Sequence, residues 1–287
     1  MHIIDNIMII FKRSEDLSNH LDKLRMKHSL VGFVPTMGAL HHGHLSLLAA
    51  SKKPGMLTIA SIFINPTQFN NRQDLEKYPV MVEKDISMLE KNGCDLLYFP
   101  AVEDVYPYGM EKNIHYELGA LETFMEGKFR PNHFQGVCQV VDRLLEIVKP
   151  TDLFLGQKDY QQCMVISKLV DLKKLPINIH ICETLREEDG LAMSSRNMRL
   201  NDDERKTASS IYKALKTIGQ NYRSLGINGA KHEAVQFLTG KGFKVDYVEI
   251  VDAKDLSPGS EVSGKPLVAL IAAWLHDIRL IDNFVLA

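Results

Sequence analysis

Cysteine is scarce: four in 287 residues, dispersed as Cys94, Cys138, Cys163 and Cys182, with no CxxC pair and no zinc-finger spacing to histidine. That excludes a disulfide framework and a finger-type metal site, and reads as free thiols in a reducing compartment. Long apolar runs are missing too. The longest, Leu267 to Leu275, falls well short of the ~20 residues a membrane-spanning helix needs. Charge of one sign is also missing, since 34 basic and 36 acidic residues leave a formal net charge of -2. From Leu185 onward the balance is 14 basic to 14 acidic, which argues against a nucleic-acid partner. The opening MHIIDNIMIIFKRSED places its basic pair after the apolar stretch, the reverse of a secretory signal, so the cytoplasm is the expected location. Neither a Walker A loop nor GxGxxG occurs, and a P-loop NTPase and a standard dehydrogenase lose weight accordingly.

What is present alternates. Leu30 to Pro35 is an apolar run ending at a turn, followed by a glycine-containing loop and the helical pattern HLSLLAASK. Further β-rich runs lie at Leu57 to Ile64, Asp95 to Pro100, Asp152 to Leu155 and Ile177 to Thr184, and Ile7 to Phe11 reads as another strand. Helical patterns at Glu83 to Asn92, Val137 to Val148 and Gln161 to Lys173 separate them. This pace predicts an α/β fold: a Rossmann-like, mostly parallel sheet with helices on both faces. After residue 184 the character changes. Asn201 followed by three acids is a helix start, and Phe243 to Val251 and Leu267 to Trp274 are β-rich, so residues 1–184 and a smaller C-terminal α+β domain at 185–287 are expected.

Three segments carry chemistry. In the first, Met37-Gly38-Ala39-Leu40-His41-His42-Gly43-His44, the glycines allow close backbone approach and His41 and His44 share a helix face. A helix N-terminus with imidazole donors suits phosphate, but a surface histidine run or an HxxH zinc site fits the same spacing. The second, Gly156-Gln157-Lys158-Asp159, follows a strand and offers a lysine to an anion; Gln161 and Gln162 add amides. A solvated Lys-Asp face is the plainer reading of it. The third, Met193-Ser194-Ser195-Arg196, puts two hydroxyls and a guanidinium on a loop at the domain junction, where a lid over a nucleotide or a capped linker would sit.

With Phe63-Ile-Asn65-Pro66-Thr-Gln68-Phe69, Tyr78-Pro79, His133-Phe134 and Arg279-Leu-Ile-Asp-Asn283 in the same order, the whole chain resembles the pantoate–β-alanine ligase family. That family belongs to the HxGH nucleotidyltransferases. The resemblance implies ATP-dependent joining of pantoate to β-alanine through a pantoyl adenylate, with ATP as co-substrate, Mg2+ as cofactor and a homodimer as the assembly. It implies that Met37 to His44, Gly156 to Asp159, Leu185 and Met193 to Arg196 bind ATP. His44, with His41, Lys158 and Arg196, would be catalytic, His44 as proton donor. Gln68 and Gln162 would hold pantoate, with Gln68 also near β-alanine; Asn65, Tyr78 and Arg130 complete the substrate side, and Asp85 would serve magnesium. The chain departs from the family's pattern at His42, Gln157, Asn132, Trp274 and His276, and has Lys84 where a second acid can stand.

Overall fold

Strands buried on both faces need continuous apolar runs, and parallel neighbours need a crossover that returns the chain to the same edge. The computed structural model, which describes residues 7–25, 30–69, 75–110, 114–260 and 264–286, meets both requirements in its first half. In chain order come β1 (Ile9–Phe11), α1 (Ser14–Leu24), β2 (Leu30–Thr36), α2 (His42–Ala50), β3 (Met56–Ile62), α3 (Val82–Lys91), β4 (Leu96–Tyr98), α4 (His133–Val148), β5 (Asp152–Gly156), α5 (Tyr160–Leu172) and β6 (Asn178–Cys182). All pairings among the six strands are parallel, in the order β1-β4-β3-β2-β5-β6. Chain order runs outward from β2 through β3 to β4, then resumes on its other side at β5. The crevice at the carboxyl ends of β2 and β5 is therefore the topological switch point, where open α/β sheets bind ligands.

The core beneath this sheet joins Phe33, Ile59 and Leu153 to Leu17 and Leu21 of α1 and to Phe134, Val137 and Leu144 of α4. Helix α4 begins at His133, four residues before the apolar pattern suggested, because Asn132 takes the left-handed conformation (φ 63) and turns the chain into it. Asparagine is the residue after glycine that tolerates this φ, which accounts for its standing where the resemblance expects glycine.

The second unit holds α6 (Asp202–Ala208), α7 (Ser210–Gly240, interrupted at Gly226 with φ 72) and an antiparallel sheet of β7 (Lys244–Asp252), β8 (Leu267–Leu275) and β9 (Ile278–Leu286). Asn201 accepts from the Asp203 and Glu204 amides and Glu204 accepts from Asn201, a full capping box at the helix start read from sequence. Central strand β8 explains its unbroken apolar run. Leu267, Ala269, Ile271 and Ala273 face α7, while Val268 and Leu270 pack on Met125 and Tyr160 of the large unit. Strand β9 follows after a two-residue turn in which His276 has φ 48, again a position where glycine would be at ease. Among the described residues no helix is long and apolar enough to cross a membrane.

Candidate active site

The first segment turns out of β2 into the crevice. Gly38 has φ 79, and a Cβ there would sit 3.0 Å from the Asp85 carboxylate and 3.1 Å from Ile62, so only glycine makes this turn without displacing its support. That support is Asp85, 1% exposed on α3, whose two oxygens accept the Ala39 and Leu40 amides at 2.7 and 2.8 Å. Asp85, which the resemblance assigns to magnesium, thus braces the loop from beneath with both of its oxygens. Among the described residues no group of three His, Cys, Asp or Glu could hold a metal ion. Asp85→Asn loses one charge-assisted acceptor and turns an amide N–H against a backbone N–H; the expected cost is about 2–3 kcal/mol of stability, read by urea unfolding. An unchanged urea midpoint with a shifted magnesium requirement would return Asp85 to the metal.

His41 and His44 cap α2 reciprocally. The Gly43 amide donates to His41 Nδ1 at 3.1 Å and the His41 amide donates to His44 Nδ1 at 3.3 Å. A backbone N–H only donates, so each Nδ1 is a bare acceptor and each ring carries its proton on Nε2. Burial, reinforced by Lys158, lowers His41 to about 4, and burial with His41 and Lys158 beside it lowers His44 to about 3. Both rings are neutral hydrogen-bond donors at pH 7, so His44 offers a donor N–H and not an imidazolium proton.

Two adjoining cavities occupy the crevice. The inner one, about 230 Å3, is lined by Met37, His41, Gly43, His44, Asn65, Gln68, Tyr78, Arg130, Gly156, Lys158, Asp159, Gln162, Leu185 and Met193 to Arg196. The outer one, about 610 Å3, opens between the two units and shares Arg130, Lys158, Asp159, Ser194 and Arg196 with it. The three segments singled out from sequence therefore meet at one place. Some of their members do not line it. Ala39 and Leu40 are buried with their amides committed to Asp85, His42 is exposed, and the Gln157 amide turns to Asn283 at 3.2 Å. These four shape the site from behind, as does Gly38.

On the substrate side, Gln68 is held by its neighbours. Asn65, 1% exposed, donates to Gln68 Oε1 (3.2 Å) and the Gly136 carbonyl and accepts from Thr67 and the Tyr106 hydroxyl, so it is a scaffold for Gln68 with no polar atom left over. His133 Nδ1 lies 2.8 Å from the Gln68 carbonyl. Neither the role of His133 nor that of Asn65 could be read from spacing, because the Gln68 carbonyl lies 65 residues from His133, and the Gly136 and Tyr106 partners that fix Asn65 lie 71 and 41 residues from it. The Gln162 side-chain amide makes no hydrogen bond to any described residue and is free for a ligand. Arg130 lines both cavities; its nearest carboxylate, Glu126, stands 3.8 Å off. Glu126 is already held by both terminal Arg279 nitrogens at 2.8 Å and by the Tyr247 hydroxyl at 2.9 Å; burial pushes its carboxyl up, but Arg279, Arg130 and Tyr247 together bring it below its ordinary value.

The third segment closes a small hairpin. Arg186 and Ala192 form an antiparallel bridge, and Met193 N donates to the Leu185 carbonyl at 3.0 Å. Ser194 Oγ accepts the Arg196 amide, and Ser195 lines the inner cavity together with Tyr78 of the large unit.

This geometry can be set beside known proteins. The family model for pantoate-beta-alanine ligase matches residues 9–285. The chain belongs to that family. It is 42% identical to the pantothenate synthetase of Cytophaga hutchinsonii over 97% of this chain and 99% of that one. The pantothenate synthetase of Pseudothermotoga lettingae is 43% identical over the same shares. Among solved structures, the pantothenate synthetase of Thermus thermophilus superposes with a TM-score of 0.85 at 37% identity, covering 96% of this chain and 99% of that one. The pantoate-beta-alanine ligase of Francisella tularensis, complexed with beta-gamma ATP and beta-alanine, gives a TM-score of 0.81 at 35% identity, with 97% of each chain covered.

Proposed function

We propose that this chain is a pantothenate synthetase, joining (R)-pantoate to β-alanine with ATP as the driving co-substrate, in two steps. Pantoate's carboxylate attacks the α-phosphate of ATP to give pantoyl adenylate and pyrophosphate; the amine of β-alanine then attacks the adenylate carbonyl and releases AMP. The observation that carries this reading is the convergence of His41, His44, Lys158 and Arg196 with the Gln68 and Gln162 amides on one cavity. Cations and N–H donors on one wall suit phosphates, and neutral amides on the other suit a hydroxy acid whose carboxylate must stay nucleophilic.

The nucleophile is a carboxyl group whose ordinary pKa is ~4, so it is ionised at neutral pH and needs no base. The site's task is to neutralise charge on the phosphates as pyrophosphate leaves. Lys158 and Arg196 supply positive charge, and His41 and His44 supply Nε2–H donors. Gln162 and Gln68 orient pantoate, with Arg130 at the mouth of the amine's path. The lid hairpin at Met193 to Arg196 excludes water from the adenylate, and Leu185 offers its N–H to the adenine. In this reading residues 1–184 bind nucleotide and pantoate, residues 185–287 carry the lid, and the protein works in the cytoplasm as a homodimer. No step here is routed through the magnesium that the resemblance implies; Asp85, its expected ligand, accepts the Ala39 and Leu40 amides.

Pyrophosphate exchange into ATP, with β-alanine withheld, tests the first step. Exchange that requires pantoate is expected. Exchange with a different acid, or none from folded ATP-binding protein, would overturn the assignment.

A further inference from the structure

The Arg279-Leu-Ile-Asp282-Asn283 run of β9 has no part in the chemistry described so far, yet the polar side chains of Asp282 and Asn283 are buried in a strand. Asn283 is 1% exposed. Its amide nitrogen donates to the carbonyls of Gln157 at 2.8 Å and Lys158 at 2.9 Å, and its oxygen accepts from Gln157 Nε2 at 3.2 Å. Every hydrogen-bonding atom of this side chain is thus directed to the single turn, Gln157 to Asp159, that carries Lys158 into the cavity. Successive side chains of a strand point to opposite faces, and the adjacent Asp282 serves the other side. Asp282 holds both terminal nitrogens of Arg186 at 2.6 and 3.0 Å. Arg186 also donates to the carbonyls of Gly190 and Asn283, and its guanidinium lies 4.0 Å above the Tyr212 ring. Arg186 opens the hairpin that ends in Met193 to Arg196. One strand of the small unit therefore grips the lysine turn with one residue and the lid hairpin with the next.

We propose that Asn283 is a positioning residue for the adenylation step: it fixes the backbone of the Lys158 turn, and with Asp282 keeps that lysine in register with the lid's Ser194 and Arg196. This rests on Lys158 serving ATP phosphates as proposed above. The physical need is plain. Lysine is a flexible stem, and its ammonium falls on the phosphates only if the backbone that launches it is fixed. The carbonyls of Gln157 and Lys158 sit in a one-turn helix, and Asn283 supplies both with donors from another unit.

Asn283→Asp tests it. The carboxylate keeps the size and the acceptor for Gln157 but turns an oxygen toward two carbonyls, releasing the turn. The pantoate-dependent exchange rate is expected to fall by about 10–100-fold, as displacement of a catalytic group by ~1 Å does, with pantoate KM within about threefold. The deciding readout is a double-mutant cycle with Lys158→Ala. If Asn283 acts through Lys158, Asn283→Asp adds nothing once the lysine is gone. A purely structural role makes the two losses multiply, which overturns the proposal, as does a single variant within about threefold of the parent rate. Should Asn283→Asp fail to fold, Asn283→Ser, which removes the donors without adding charge, enters the same cycle. Absence of pantoate-dependent exchange in the parent chain instead overturns the underlying functional reading, so the two failures are distinguishable.

Discussion

Lys158→Ala is expected to lower the pantoate-dependent exchange rate by about 10²–10³, the usual cost of removing one preorganised transition-state donor, and His44→Ala to do the same. The two losses have different physics. The Lys158 side chain is 18% exposed and its carboxylate neighbour Asp159 stands 3.8 Å away, so most of its charge is available to a ligand in either cavity. Its removal leaves departing pyrophosphate facing fewer cations while the turn itself stays held by Asn283. His44 is a neutral donor whose Nδ1 also accepts the His41 amide. His44→Ala therefore carries a second cost, a lost helix cap of about 1 kcal/mol, and its melting temperature must be read alongside its rate. Once that is subtracted, the remaining loss is the Nε2–H bond to phosphate. Because the attacking carboxylate needs no base, neither variant should show a new ionisation in its pH–rate profile. Losses below about tenfold in both variants would remove these two residues from the proposed charge-neutralising role.

The sequence showed which residue types would do the chemistry better than it showed what holds them. Alternation of apolar runs revealed β2 through β6, and the β-rich run from Leu267 revealed β8; that β8 is covered on both faces is seen only in the structure. Strand β9 escaped because half-buried Arg279 and buried Asp282 and Asn283 are polar, with partners 153, 96 and 125 residues away, so the apolar pattern is broken. Helix α7 escaped for a different reason: Gly226 interrupts it, and its apolar stripe does not run straight through. At the site, the His41–His44, Gly156–Asp159 and Met193–Arg196 segments were legible because histidine, lysine and arginine near glycine turns already suggest an anion. The bracing task of Asp85 was not legible because its partners are backbone amides, which a sequence does not display. The departures at Asn132 and His276 become intelligible only from their φ values of 63 and 48. The Trp274 indole donates to Asp246 at 3.1 Å, beside the bond from Arg279 to the same carboxylate, so it is held within the small unit's own sheet, where it lines the outer cavity.

Acid should unfold this protein earlier than its carboxylates alone require. His41, His44 and His133 are buried, and burial lowers them to about 4, 3 and 4 from an unfolded value near 6.5. The surrounding charges act in both directions: Lys158 and Arg130 favour the neutral rings, Asp159 and Glu126 oppose, and burial outweighs them all. Below pH 6.5 the unfolded chain takes up three protons that the native protein refuses, so the stability these residues supply is complete above that pH and drains as pH falls toward 4. At pH 5 each contributes a loss of about 2 kcal/mol, roughly 6 kcal/mol in total, against the ~5–15 kcal/mol by which domains are stable. Asp282, whose carboxyl burial pushes up, has the opposite sign, but it is one group against three. The expected result is an unfolding midpoint between about pH 4 and 5, with the steepest loss already under way above the ordinary carboxylate range. His133 separates this from catalysis, since its ring holds the Gln68 carbonyl and caps no helix at the phosphate wall. His133→Gln keeps an N–H for that carbonyl and removes one titrating ring, so its urea stability should fall by about 2 kcal/mol less than the parent's between pH 7.5 and 5. Equal slopes for the two proteins, or a parent whose stability is flat across that window, would mean that these rings take up protons without unfolding the chain.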